Sequence, residues 1–203
     1  MSKKKLHIGS GPAAKEGWIN IDNVAYPGVD KVLDVRQGLP FKDVDYIYAE
    51  HFLEHLPYDD GAKFLRECRR VLRADGLLRL STPNLDWVWL TQYRYGQWAS
   101  NAEAIADCFL INKSFRAWGH RFLYNIHTLA GTLKAAGFAE VVVCGYGQST
   151  REELNNIEEH EKYHDTPEVP HVLIVEAGGV IPAGDNPEIV DPLADFNQAM
   201  AAS

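Results

Sequence analysis

Leu6-His7-Ile8-Gly9-Ser10-Gly11 leads, after six more residues, into Trp18-Ile19-Asn20-Ile21-Asp22. A short apolar run ends in a glycine turn, and a second apolar run ends on a carboxylate. In a parallel α/β sheet this pairing brings glycine backbone and an acidic side chain to the carboxyl edge, where ligands bind. Glycine admits a close approach that a side chain would prevent, and a carboxylate closing the second strand accepts hydrogen bonds from ribose hydroxyls. A dinucleotide fingerprint reads G-x-G-x-x-G, with its acid about 20 residues further on. Here Pro12-Ala13-Ala14 follow Gly11, and Asp22 comes 11 residues after it. Six residues cannot hold the usual crossover helix, because parallel strands are joined by about a dozen residues or more. The helix N-terminus that would cradle a pyrophosphate is therefore expected to be short or absent. An adenosine ligand without phosphates fits better, with S-adenosylmethionine (SAM) the leading candidate.

Outward from this stretch, apolar runs and helical patterns alternate, as in a mostly parallel α/β sheet. The expected strands are Lys5-Ile8, Trp18-Ile21, Lys31-Leu33, Tyr46-Ala49, Leu77-Ser81, Val141-Cys144 and Val172-Glu176. Ala62, Leu65, Cys68, Arg69 and Leu72 fall at helical spacing between Asp59 and Leu72, with Ala74-Asp75-Gly76 expected to close that helix. A second helix runs from Thr128 to Gly137. The fold expected is α/β: one doubly wound, seven-stranded domain over residues 1–177, with a shortened first crossover.

Two stretches break the rhythm. Between Leu85 and Asn125 lie 10 of the chain's 22 aromatic residues, including Trp87, Trp89, Trp98 and Trp118. This insert after the fifth strand, residues 85–125, reads either as the core of a small helical subdomain or as a stacking wall for a sugar or planar ring. Its Arg94, Lys113, Arg116 and Arg121 outnumber Asp86, Glu103 and Asp107, which favours an anionic or glycan-like acceptor. From Gly178 to Ser203, Gly, Pro, Ala and Asp dominate, and a loosely ordered tail is expected.

Composition excludes several classes. A net charge of -8 argues against nucleic-acid coating, which needs a basic face. No apolar run approaches the roughly 18 residues of a membrane span, and Lys3-Lys4-Lys5 lacks the apolar region of a secretory signal. Cys68, Cys108 and Cys144 are odd in number and far apart, as reduced thiols of the cytoplasm are.

Taken together, LHIGSG…GWINID…VLDV…DYIYAEHFLEHL…FLRECRRVLRADGLLRLSTPN, with HRFLYNIHTLAGTLKAAGF and PHVLIVEA further on, resembles the class I SAM-dependent methyltransferases, particularly their type-11-like group. The resemblance covers residues 5 to about 177. It implies SAM as cofactor, with Gly9, Ser10 and Gly11 under the amino-acid portion and Asp22 on the ribose diol. It further implies Asp34, beside Val35, on the adenine amino group, Glu50 and His51 flanking the methionine moiety, and Pro83 and Asn84 near the acceptor. The chain departs from the family at His7, where an acidic residue is usual.

Methyl transfer needs alignment, exclusion of water and, for a hydroxyl acceptor, a general base. His51, Glu54 and His55 of Ala49-Glu50-His51-Phe52-Leu53-Glu54-His55-Leu56-Pro57 are the best catalytic candidates, with helix capping or structural hydrogen bonding as the plainer roles for each. The same stretch spells H-x-x-E-H, an inverted zinc-peptidase pattern. The fourth strand ends just before His51 and Pro57 follows His55 by two, so the long helix such a site needs is not expected, and no metal is expected. His160 and His164 sit in a charged run that reads as a solvated helix or loop. Trp87, His120, Arg121 and Tyr124 are the acceptor-binding candidates, against core packing and a surface arginine. The reading is a SAM-dependent methyltransferase acting on oxygen or nitrogen of a small-molecule or glycan-like acceptor. The alternatives are a SAM-binding module without catalysis and, well behind, a zinc hydrolase.

Overall fold

A computed structural model describes residues 3–160 and 165–181, together with residues 192, 198 and 200. Its sheet has seven strands: β1 (Lys5–Ile8), β2 (Ile19–Asp22), β3 (Lys31–Val32), β4 (Val44–Glu50), β5 (Leu72–Pro83), β6 (Glu140–Val143) and β7 (Val172–Gly178). They lie in the order β3-β2-β1-β4-β5-β7-β6. Only β7 runs antiparallel to its neighbours. All seven expected strands are present, and the winding direction reverses between β1 and β4. That reversal opens a crevice at the carboxyl edge.

Four α-helices are described: α1 (Tyr58–Val71), α2 (Leu85–Gln92), α3 (Asn101–Arg116) and α4 (Ile126–Ala135). The aromatic insert is therefore α2 and α3 with the turn that follows them. The link from β1 to β2, residues 9–18, contains no helix, as the spacing predicted. Strand side chains alternate between faces, and one set (Leu6, Ile8, Ile21, Ile47, Leu78, Leu80, Val175) packs with Phe64, Leu65 and Cys68 of α1 and Leu129 and Leu133 of α4. Each such fully buried side chain stabilises the fold by about 1.5–3 kcal/mol relative to exposure.

The opposite face has no described α-helix to fill the place of the missing crossover. There Trp18, Tyr46 and Tyr48 pack against Leu154 and Ile157 of the segment between β6 and β7. The same segment carries Glu158, which meets the fully buried Arg79 of β5 at 2.6 Å, while Glu176 of β7 meets it at 2.7 Å. His7 lies on this face too. It bonds Asn20 at 3.2 Å, packs against the Tyr48 ring, and burial lowers its pKa. Segment 145–160 thus covers the face left bare by the clipped crossover.

Glu50 follows the same alternation, and its side chain turns toward this segment. It accepts hydrogen bonds from the backbone of Glu159 and from the backbone and ring of His160. Burial opposes its ionisation, but these donors prevail and hold the carboxyl down to about 2. A folded-state value below the ordinary 4.5 contributes stability that is complete above that pH and lost as pH falls toward 2. Chemical unfolding followed from pH 5 to pH 2 is therefore expected to show a steeper loss of stability in the native chain than in Glu50→Gln.

Two further boundaries differ from expectation. Gly76 does not close α1: the helix ends at Val71, Leu72 is already extended, and Gly76 lies inside β5. A Cβ there would stand 2.8 Å from the Val44 carbonyl, so glycine serves the approach of β5 to β4 at their register shift. His164 and most of the 178–203 tail lie outside the described residues.

Candidate active site

The turn after β1 leaves the strand at Gly9, with φ +65°, a conformation that glycine adopts without strain. A Cβ at Gly9 would also run into the Phe52 ring. Gly11, with φ +50°, opens onto free space. Its N–H donates to Asp22 at 2.9 Å, and Val24 N–H donates to the other carboxylate oxygen at 2.9 Å. These two bonds fix Asp22 at the end of β2, where it lines a 610 Å³ cleft together with Gly9, Gly11, Asp34, Val35 and His51. Clefts of 300–1,000 Å³ are typical of small-molecule sites.

Other expected residues are placed differently. Ser10 is buried, its backbone N–H taken by Ile21 and its hydroxyl without a partner among the described residues; it is not among the residues lining this cleft. Asp34 reaches the rim, but its carboxylate caps a short turn and pairs with Arg36 in a two-point contact, which lowers its pKa. Glu50 faces segment 145–160 instead of the cleft, because side chains on a strand alternate. Tyr124 is a correction as well. It is fully buried between α1 and the sheet with its hydroxyl unpartnered among the described residues, and burial raises its pKa. Core packing is the role its position supports.

His51 turns the chain sharply, with φ +46°, a region where histidine is more common than most residues. The turn brings its ring beside Glu54, whose Oε1 accepts from Nδ1 at 3.1 Å. Glu54 is wholly buried, and its second oxygen accepts from Thr82 Oγ1 at 3.0 Å. A carboxylate so held fixes the imidazole tautomer and leaves the lone pair on Nε2. The H-x-x-E-H stretch is not one helix: the left-handed His51 is followed by a single 3-10 turn, Leu53–His55. The inverted zinc-peptidase geometry is therefore not formed.

A second cleft, of 510 Å³, lies on the other side of His51 and is walled by Trp87, Lys113, Trp118, His120 and His171. His51, His55 and Trp118 line both clefts, so the two meet there. Of the residues expected to bind the acceptor, Trp87 and His120 line the second cleft and Arg121 lines the first. Arg121 and Phe122 donate their backbone N–H groups to the Glu54 carbonyl at 2.7 and 3.2 Å, which straps the end of the insert to the turn at His51–His55. His171 is not among the expected site residues, and Trp118 is expected only as one of the aromatic residues of the insert. The signal for His171 is topological: it immediately precedes antiparallel β7, whose start lies at the edge where the parallel strands finish.

A protein family described as methyltransferase domain matches residues 8–143. A protein of Mycobacterium tuberculosis, a probable S-adenosylmethionine-dependent methyltransferase, is 46% identical over 61 residues, which span 29% of this chain and 22% of that protein. Among solved structures, an S-adenosylmethionine-dependent methyltransferase from Mesorhizobium loti aligns with a TM-score of 0.54 at 20% identity over 87% of this chain and 90% of its own. One from Archaeoglobus fulgidus aligns with a TM-score of 0.52 at 16% identity, covering 86% and 85% respectively. At such identities the structural matches show the shared fold.

Proposed function

The chain belongs to the methyltransferase domain family matched by residues 8–143, and from that premise we propose that it transfers a methyl group from SAM to oxygen or nitrogen of a small-molecule or glycan-like acceptor. The observation that carries this reading is the meeting of two clefts at His51. One presents Gly11 and a pre-aligned Asp22 carboxylate, and the other is aromatic and histidine-rich.

The donor cleft fits SAM on its own chemistry. Gly11 leaves room at the turn, Asp22 offers its carboxylate to a diol, and the described link after Gly11 holds no helix start to call for a pyrophosphate. Bound there, SAM supplies a methyl group activated by a positive sulfur. The chain's part is to position the acceptor and remove its proton. His51 Nε2 takes the proton from an acceptor hydroxyl or amine, and Glu54 stabilises the imidazolium that results. Trp87 and Trp118 supply flat surfaces for a ring, and Lys113 favours an acceptor carrying negative charge. Positioning of this kind is worth several kcal/mol of barrier.

The second reading, a SAM-binding module without catalysis, draws on His7 and on the shortened first crossover. With that ring packed under segment 145–160, its presence is accounted for by packing on the face away from the clefts. The distinguishing experiment incubates the protein with isotopically methyl-labelled SAM and fractions of a small-molecule extract. Release of S-adenosylhomocysteine with one fraction, and a labelled product within it, is expected. Release that no fraction stimulates would favour the module.

A further inference from the structure

Glu54, His55 and His120 each offer one metal-binding atom, and the three atoms lie within 4.8 Å of one another. We propose that these three side chains bind a divalent transition-metal ion in the wall of the acceptor cleft, with its open coordination positions facing the acceptor. The donor set is two imidazoles and one carboxylate, suited to zinc and its first-row neighbours rather than to magnesium or calcium, which prefer oxygen.

Three features go beyond proximity. His120 Nδ1 donates to the Ser114 carbonyl at 2.8 Å, which leaves the lone pair on Nε2; a second hydrogen bond of this type orients most metal-binding histidines. The His55 ring nitrogens have no hydrogen-bond partner among the described residues, although its ring lies 5.3 Å from that of His120. Glu54 is fully buried, and Thr82 and His51 each bond one of its oxygens while further lone pairs remain.

The backbone also holds the cluster together. The two N–H groups after His120 are both bonded to the Glu54 carbonyl, so ligands 66 residues apart in sequence are fixed side by side. Metal–ligand bonds of about 2.0–2.2 Å bring ligand atoms nearer than 4.8 Å, and a side-chain closure of about 1 Å suffices. Three protein ligands leave a position open, as in catalytic sites. All three residues line the 510 Å³ cleft, so the ligand completing the site would be an oxygen of the acceptor, lowering the pKa of its hydroxyl. That last assignment rests on the methyl-transfer reading; the metal site itself does not.

The test uses the full chain, stripped with chelator, in two titrations. Calorimetry with Zn²⁺ is expected to show one equivalent bound, with affinity about 100-fold weaker in His55→Ala and in His120→Ala. The exposed His127→Ala serves as the unaffected control. Visible absorption during Co²⁺ titration is expected to show ligand-field bands of nitrogen and oxygen ligation without thiolate charge transfer, a readout on the native chain that does not depend on whether a variant folds. No Zn²⁺ binding, affinity unchanged in both variants, or a thiolate spectrum would overturn the site. S-adenosylhomocysteine binding by the same preparation reports separately on the donor cleft, so failure of one claim is distinguishable from failure of the other.

Discussion

Replacing His51 by asparagine is expected to lower kcat by about 10²–10⁴-fold, the usual contribution of a positioned general base. Asparagine is chosen because the residue sits at φ +46°, which asparagine tolerates better than most side chains. The turn into Leu53–His55 is then retained while the base is removed. Glu54→Gln has a different signature. Glu54 is buried behind His51 and acts through it, so its amide variant, which removes the counter-charge of the imidazolium, is expected to displace the acid limb of the pH–rate profile to lower pH as well as reduce kcat. A merely structural Glu54 would change stability without moving that profile. Steady-state kinetics at several pH values reads both outcomes, and an unchanged kcat in His51→Asn would remove the base from the mechanism.

The second large effect is on stability. Arg79 is fully buried among Glu158, Glu176 and the Gln148 carbonyl. Arg79→Met is expected to destabilise the chain by about 3–5 kcal/mol, because it leaves buried carboxylates without their counter-charge. For a chain of this size that corresponds to a melting temperature lower by roughly 6–20 °C. Removing all three charges together with apolar groups of similar volume is expected to cost less than removing the arginine alone, since the uncompensated charge causes most of the damage. Differential scanning calorimetry of the single and triple variants tests this. A triple variant less stable than Arg79→Met would show that the network itself is net stabilising.

The network explains how the fold tolerates its clipped first crossover. A helix between β1 and β2 would bury an apolar stripe against the sheet. Here that face instead carries His7, Asn20 and Arg79 beside Tyr46 and Tyr48, and segment 145–160 seals it through Leu154, Ile157 and Glu158. Lys15, in the short link itself, reaches the Ile157 carbonyl at 3.0 Å.

Much of this was legible in the sequence because strands buried on one or both faces write themselves as short apolar runs. Lys5–Ile8, Ile19–Asp22 and Val172–Gly178 were readable almost to the residue, and the missing crossover followed from counting to Asp22. Gly9, Gly11 and Asp22 were legible because a glycine turn and a strand-ending carboxylate leave local marks. Glu50 and Tyr124 were not, because strand alternation and core burial decide their direction, and neither is visible without the neighbouring segment. Tyr124 in particular reads like an acceptor-binding aromatic until α1 is placed beside it. The contact between Glu54, His55 and His120 was hidden for a related reason: it depends on two backbone hydrogen bonds between the turn at His51–His55 and the end of the insert.

The central claim, a SAM site built on the turn after β1 and the end of β2, is tested most directly by calorimetric titration with S-adenosylhomocysteine. The native chain is expected to bind one equivalent saturably. Asp22→Ala is expected to bind about 100-fold or more weakly, from loss of charge-assisted hydrogen bonds worth about 1.5–3 kcal/mol each. Absence of binding at millimolar ligand, or equal affinity in the two proteins, would contradict the account.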